Sequence, residues 1–400
     1  MLAIVAPGQG AQTPGFLAPW LVDQTFADRL NWLSTVAGLD LTYYGTEADA
    51  ETIRDTAIAQ PLLVAAGLVT ALQLFPQPSD GFRVTGVAAG HSVGEITAAA
   101  ATGVLSAEQA MVFVRQRGLG MAEASALRPT TMAAVLKGDP ADVLARIAEL
   151  GAVAANNNGG GQIVAAGTVE QIEALKANPP AGARVIQLSV AGAFHTEHMA
   201  PAQKTLGRLA RAISTHDART RLLSNADGQV VQSGREYLTR LVTQITNPVR
   251  WDLCMESMVD LGVTGLLELP PAGTLTGIAK RNMPGVEVFS LNTPDQLADA
   301  RAFALRHSEP ERASIMNVTP SWMMVVSPAK GEFHAAEGVA AGQLLAPGAV
   351  VGSVENLRET IEVTTQHGGT VTELLVEEGD PVSPGQPIIR LYPVAQEVQL

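Results

Sequence analysis

Cysteine is nearly missing from these 400 residues. Cys254 is the single thiol, so no intrachain disulfide can form and no Cys/His zinc cluster exists. Charge is scarce too, at 16% of residues, and no Lys/Arg-rich run occurs. With a formal net charge of -13, nucleic-acid binding is not expected. No run of about 18 consecutive apolar residues occurs, which argues against a membrane span. Met1 to Gly8 lack the basic stretch that opens a secretory signal. These absences point to a reduced, cytoplasmic setting. Apolar residues, in contrast, make up 46% of the chain, enough for a large core.

The apolar residues are patterned. Residues 2–6 form a short buried strand ended by Pro7-Gly8. Residues 58–75 have helical spacing and stop at Pro76. Residues 84–89 are a second buried strand, followed by a turn over 90–94 and an alanine-rich helix. Buried strands alternating with helices indicate a parallel α/β sheet. Residues 126–190 read as a smaller insert. Its strands are Met132–Leu136, Gln162–Ala166 and Arg184–Val190, with helices at Pro140–Leu150 and Val169–Ala177. That order suits a ferredoxin-like lid. The chain returns to the larger sheet through residues 222–224 and 265–269. Asn156 to Gln162 is glycine-rich but lacks the Gly-Lys-Ser/Thr ending of a phosphate loop, so it reads as a tight turn.

Gly90-His91-Ser92-Val93-Gly94 falls between strand and helix, the context in which Gly-x-Ser-x-Gly projects a nucleophilic serine. The Val93 amide then sits at a helix N-terminus, where it can meet an oxyanion. A serine needs a base to remove its proton. Of seven histidines, His195 lies just after strand 184–190, where catalytic groups collect in α/β folds. His198 reads as a surface histidine.

Taken together, six segments resemble the malonyl-CoA:acyl-carrier-protein transacylases and the acyltransferase domains of polyketide synthases. They are residues 7–12 (PGQGAQ), 90–95 (GHSVGE), 116–118 (QRG), 161–167 (GQIVAAG), 192–195 (GAFH) and 247–251 (NPVRW). The resemblance covers residues 1 to about 305. It implies a hydrolase-like parallel-sheet domain with the ferredoxin-like insert, and no cofactor or metal. It also implies roles for the site residues. Ser92 resembles the nucleophile, and His195 its general base and acid. The amides of Gln9 and Val93 resemble the oxyanion hole. Arg117 resembles the arginine that clamps the malonyl carboxylate, while His91 and Asn158 correspond to site-lining positions. Arg250 falls at the position whose backbone carbonyl orients the histidine, so a Ser-His dyad without an acid is implied. Phe194 resembles the malonyl-selecting version of its motif, a steric preference of about 1–3 kcal/mol. Malonyl-CoA and a holo acyl carrier protein are the implied partners. A chain this acidic would need a local basic patch to hold an acidic carrier.

After residue 307 the character changes. Residues 308–322 read as a linker, and residues 323–393 as short strands separated by Gly and Pro. A weak repeat relates Gln343–Gly352 to Asp380–Ile389, which suggests a small sandwich with pseudo-twofold symmetry. From residue 318 onward three basic residues face ten acidic ones. Residues 369–389 resemble the second half of biotinyl/lipoyl carrier domains, an all-β sandwich that presents a lysine on a hairpin tip. Arg358 stands at the lysine position here, and Lys330 is the only lysine of the module. A guanidinium stays protonated and is a poor nucleophile, so neither biotin nor lipoate is expected. Two other readings stay open on the sequence: a serine thioesterase or hydrolase of similar architecture, and a non-catalytic scaffold that works through the C-terminal module.

Overall fold

The computed structural model describes residues 1–190, 192–309, 323–356, 358–366 and 368–393. The chain divides into two compact units, Met1–Ser314 and Ile315–Leu400. Most of the expected linker, residues 310–322, lies outside the described residues.

Among the described residues, the strands of the first unit are β1 (Leu2–Ala6), β2 (Thr85–Gly90), β3 (Thr130–Leu136), β4 (Val153–Asn157), β5 (Gln162–Thr168), β6 (Arg184–Gln187), β7 (Arg221–Leu222), β8 (Val249–Arg250), β9 (Gly265–Glu268) and β10 (Glu287–Ser290). The main sheet runs β10-β9-β1-β2-β7, parallel throughout. β2 is buried along its whole length, as its uninterrupted apolar run requires in a sheet covered on both faces. The helix Thr56–Leu74 packs into the core with it. By length and composition that helix could cross a membrane, yet about 72% of its most apolar window is buried inside the protein.

The insert is a four-stranded antiparallel sheet, β6-β3-β5-β4, with the helices Pro140–Glu149 and Val169–Ala177. The sequence reading missed β4 and took Asn156 and Asn157 for a turn. With β4 present the order is βαββαβ, the complete ferredoxin-like unit. Polar Asn156-Asn157 do not look like a strand, but they pair with β5 on one side and with β8 on the other. β8 comes from much later in the chain and ties the insert to the main domain. The turn itself is Asn158–Gly161, where Gly159, Gly160 and Gly161 all take positive φ. β6 also ends earlier than its apolar run, at Gln187.

Among the described residues, the second unit holds two four-stranded sheets. The additional strands are β11 (Met323–Val326), β12 (Gly331–Ala335), β13 (Leu344–Leu345), β14 (Val350–Glu355), β15 (Thr360–Thr364), β16 (Gly369–Leu374), β17 (Pro381–Val382) and β18 (Pro387–Pro393). The orders are β11-β18-β16-β13 and β15-β14-β12-β17, so each sheet mixes strands of both repeat halves. Phe333, Val351, Val371 and Ile388 share one core. β14 and β15 form a hairpin whose tip begins at Asn356. The Asn356 side chain accepts from the amides of Arg358 and Glu359 and shapes the turn. Arg358 is exposed there, at the position where carrier domains present lysine.

Candidate active site

Ser92 sits at the turn between β2 and the helix Gly94–Ala101. Its φ is +52°, left-handed and strained for a residue with a Cβ. Both flanking glycines have ordinary negative φ. They are needed for close packing: a Cβ on Gly90 would run into the backbone of Gly94, and one on Gly94 into the Ala6 carbonyl. The elbow therefore wedges against β1 and holds the serine in its strained pose.

His195 also has positive φ, +61°, and its Nε2 lies 2.8 Å from Ser92 Oγ. Its Nδ1 lies 2.8 Å from the main-chain oxygen of Gln244. This corrects the expectation for Arg250. Gln244 is the last residue of the helix Gly234–Gln244, and the last carbonyls of a helix lack intrahelical partners. The negative end of the helix dipole thus stands behind the imidazole, where a triad would place an acid. Arg250 is turned elsewhere: its guanidinium pairs with Asp252, and its amide donates to the Asn225 carbonyl.

Burial, then the nearby Arg117 charge, holds the pKa of the His195 ring down to about 3, against the pull of the Gln244 carbonyl. It is therefore a neutral acceptor, as a general base must be. An unfolded histidine takes a proton near 6.5, so the stability tied to His195 is present above that pH. It is lost as pH falls toward 3. Glu95 runs the other way. Burial pushes it up from 4.5 to about 7, so the stability tied to it falls as pH rises through that range. The two oppose each other between 4.5 and 6.5. Removing the histidine exposes its share: the Tm of His195→Asn minus that of the wild type should rise as pH falls from about 7 to 5. A difference that stays flat or falls contradicts a neutral buried His195.

Arg117 lies midway along the helix Ala107–Ala126, which begins with a capping box between Ser106 and Gln109. The next residue, Gly118, lets this helix approach Thr56–Leu74 closely, since a Cβ there would press on the Thr56 carbonyl. That approach brings Arg117 to Gln60. Arg117 is 1% exposed, with Nη1 2.6 Å from Gln60 Oε1 and Nη2 2.7 Å from Gln244 Oε1. Nη2 is also 3.4 Å from Ser92 Oγ. Among the described residues no carboxylate lies within ion-pair distance of it. Burial lowers its pKa to about 10, so it remains charged.

A cavity of about 220 Å³ opens over Ser92 and His195, lined by Gln9, Gln60, His91, Asn158 and Phe194 among others. His91 Nε2 lies 2.9 Å from Asn158 Oδ1, and burial lowers the His91 pKa. Asn158 is held in place by the same turn that ends β4. Among the described residues, neither the Gln9 nor the Val93 amide donates a hydrogen bond, although the Gln9 side chain is anchored on Arg54 and Thr56. Two free amides beside an activated serine are a place for developing negative charge. His198 is half-buried in a 3₁₀ turn away from this cluster.

A family model described as the acyl transferase domain matches residues 4–297. The chain belongs to the acyl transferase family. Curated acyl transferase relatives include a malonyl CoA-acyl carrier protein transacylase of Mycobacterium tuberculosis, 48% identical over 302 residues. That match spans 75% of this chain and 100% of the relative. One from Escherichia coli K12 is 33% identical over 309 residues, 74% of this chain and 98% of the relative. Among solved structures, the Mycobacterium tuberculosis MCAT matches with a TM-score of 0.73 at 47% identity, over 75% of this chain and 99% of that one. A type II PKS acyl-carrier protein in complex with its malonyl-transacylase matches at 0.70 and 30% identity, over 75% and 99%. A second family model, described as biotin-requiring enzyme, matches residues 324–391.

Four residues around the acyl transferase site escaped the sequence reading: Gln60, Glu95, Asn225 and Gln244. Asn225 Oδ1 accepts from the Ser92 amide at 2.8 Å, and its Nδ2 donates to the Gly90 carbonyl at 2.8 Å, so it clamps the elbow. Glu95 had been quoted only as the end of the serine motif. Nothing in the local pattern around Gln60, Asn225 or Gln244 marks them, because each acts across the fold.

Proposed function

We propose that this acyltransferase carries a malonyl group from malonyl-CoA to the phosphopantetheine thiol of a holo acyl carrier protein, through an ester on Ser92. One observation carries the choice of acyl group. Arg117 is a buried guanidinium held by neutral oxygens alone, 3.4 Å from the nucleophile. An unpaired buried charge is costly, and a substrate carboxylate supplies its missing partner in bidentate geometry.

The geometry supports the following steps. Ser92 Oγ attacks the thioester carbonyl carbon while His195 Nε2 takes its proton. The tetrahedral oxyanion rests on the amides of Gln9 and Val93. The carbon–sulfur bond breaks, and the coenzyme A sulfur takes the proton from His195. The carrier thiol then enters, gives its proton to His195 and attacks the ester. Ser92 leaves with that proton. Phe194 flanks the acyl group and disfavours a branch at its α-carbon. The Gln244 carbonyl steadies the imidazolium between steps. The carrier belongs to fatty-acid or polyketide biosynthesis, and the reaction is placed in the cytoplasm.

A single assay tests this. Incubation with labelled malonyl-CoA should form a protein-bound ester, and holo carrier protein should discharge it as malonyl-carrier. Free malonate released at the same rate without carrier would make the protein a thioesterase. No label on the protein at all would leave only a scaffold.

A further inference from the structure

Glu95 is 1% exposed and lies three residues after Ser92, yet none of the steps above uses it. Its Oε1 accepts from the Asn225 amide at 2.6 Å and from the Tyr237 hydroxyl at 3.2 Å. Its Oε2 accepts from Gln244 Nε2. Gln244 Nε2 donates as well to the Ser92 carbonyl at 2.9 Å, and Gln244 Oε1 faces Arg117. The two ends of an amide have nearly the same shape and opposite polarity, so its partners decide which way it points. Here the carboxylate and the Ser92 carbonyl take the NH₂ group, and the guanidinium takes the oxygen.

We propose that Glu95 is a positioning residue for acyl-group selection: its carboxylate locks the Gln244 side chain so that Oε1 holds the Arg117 fork aimed at the substrate carboxylate. The proposal rests on the malonyl reading above. It also explains a gap in the electrostatics. Glu95 and Arg117 form no direct ion pair; the amide of Gln244 stands between them. The buried carboxylate offsets the buried guanidinium before substrate binds, while the guanidinium stays open to an incoming anion. With a carboxylate directly on Arg117, a malonyl group would have to displace it. The His195 contact uses the main-chain oxygen of Gln244, so base orientation and charge recognition depend on different atoms of one residue.

Glu95→Gln tests this with almost no change of shape. Its oxygen can keep the Asn225 amide, but its NH₂ then faces the NH₂ of Gln244. Gln244 must turn over, which puts two donors against the guanidinium and strips the Ser92 carbonyl of its partner. The ratio of malonyl to acetyl loading, as kcat/KM for the two coenzyme A esters, should fall about tenfold. That is the scale on which one hydrogen bond to a charged group acts. Most of the fall should appear in KM for malonyl-CoA. Equal losses for both esters, or no loss, would overturn the proposal, because a purely structural glutamate does not discriminate between them. Failure of the wild type to take malonyl at all would instead remove the reading beneath it.

A second variant covers the case in which Glu95→Gln does not fold. Glu95→Gln combined with Gln244→Glu restores a donor facing an acceptor, but places a carboxylate on Arg117. Its malonyl-to-acetyl ratio should fall more than tenfold below that of the wild type. Wild-type malonyl loading by the double variant would overturn the proposal.

Discussion

Arg117→Ala should lose malonyl transfer by roughly thirty-fold to several-thousand-fold in kcat/KM, the equivalent of about 2–5 kcal/mol for one member of a buried charged pair. The effect is large because Arg117 is buried. A malonyl carboxylate entering without the guanidinium would be buried unpaired, and water cannot replace the lost partner. Acetyl-CoA has no such carboxylate, so its loading should rise relative to malonyl. The variant also leaves Gln60 Oε1 and Gln244 Oε1 without their donor, so some loss of thermal stability accompanies it. Competing acetyl-CoA and malonyl-CoA against each other in one reaction separates the two effects. An unchanged preference would remove Arg117 from acyl recognition.

Ser92→Ala should abolish the covalent intermediate. Removal of the nucleophile from a Ser-His-Asp triad lowers kcat by about 10⁶, and a loss on that order is expected here. Here nothing else among the described residues is placed to replace it. Cys254, the one thiol, is buried against Asn225 and the Ser224 carbonyl. Intact-protein mass after an acid quench should show a malonyl adduct on the wild type and none on the variant. His195→Ala should be nearly as damaged, and the double variant hardly worse than either, because the two side chains act as one unit. Additive losses would mean that Ser92 and His195 work separately, against their 2.8 Å contact. An adduct on Ser92→Ala would place the nucleophile elsewhere.

The elbow and the lid were legible for different reasons. Gly90 to Gly94 announced a turn between a buried run and a helix, and that turn is where Ser92 sits. The insert was visible through helix and strand periodicities, apart from β4, whose two terminal asparagines carry no apolar alternation. They are strand residues only because β5 and β8 lie on either side of them. The C-terminal sandwich was legible in its repeat of Gly- and Pro-bounded strands, and the resemblance to carrier domains placed Arg358 at the hairpin tip.

Sequence by itself determined the class of each unit and singled out Ser92, His195 and Arg117 as candidates. Local pattern encodes local geometry, which marked Ser92 at its turn and His195 after its strand, whereas Arg117 was placed by the family resemblance alone. Only the tertiary structure decided how they are held. The bonds that join Ser92 to His195, Arg117 to Gln60 and Gln244, and Gln244 to Glu95 span between 57 and 149 residues. The carbonyl that orients His195 is a main-chain atom that every residue type possesses, so no side chain could announce it. It was fixed by where the helix Gly234–Gln244 ends, six residues before the position the motif suggested. The surroundings of Arg117 were decided the same way: packing buried it among amide oxygens, with no carboxylate among the described residues at ion-pair distance.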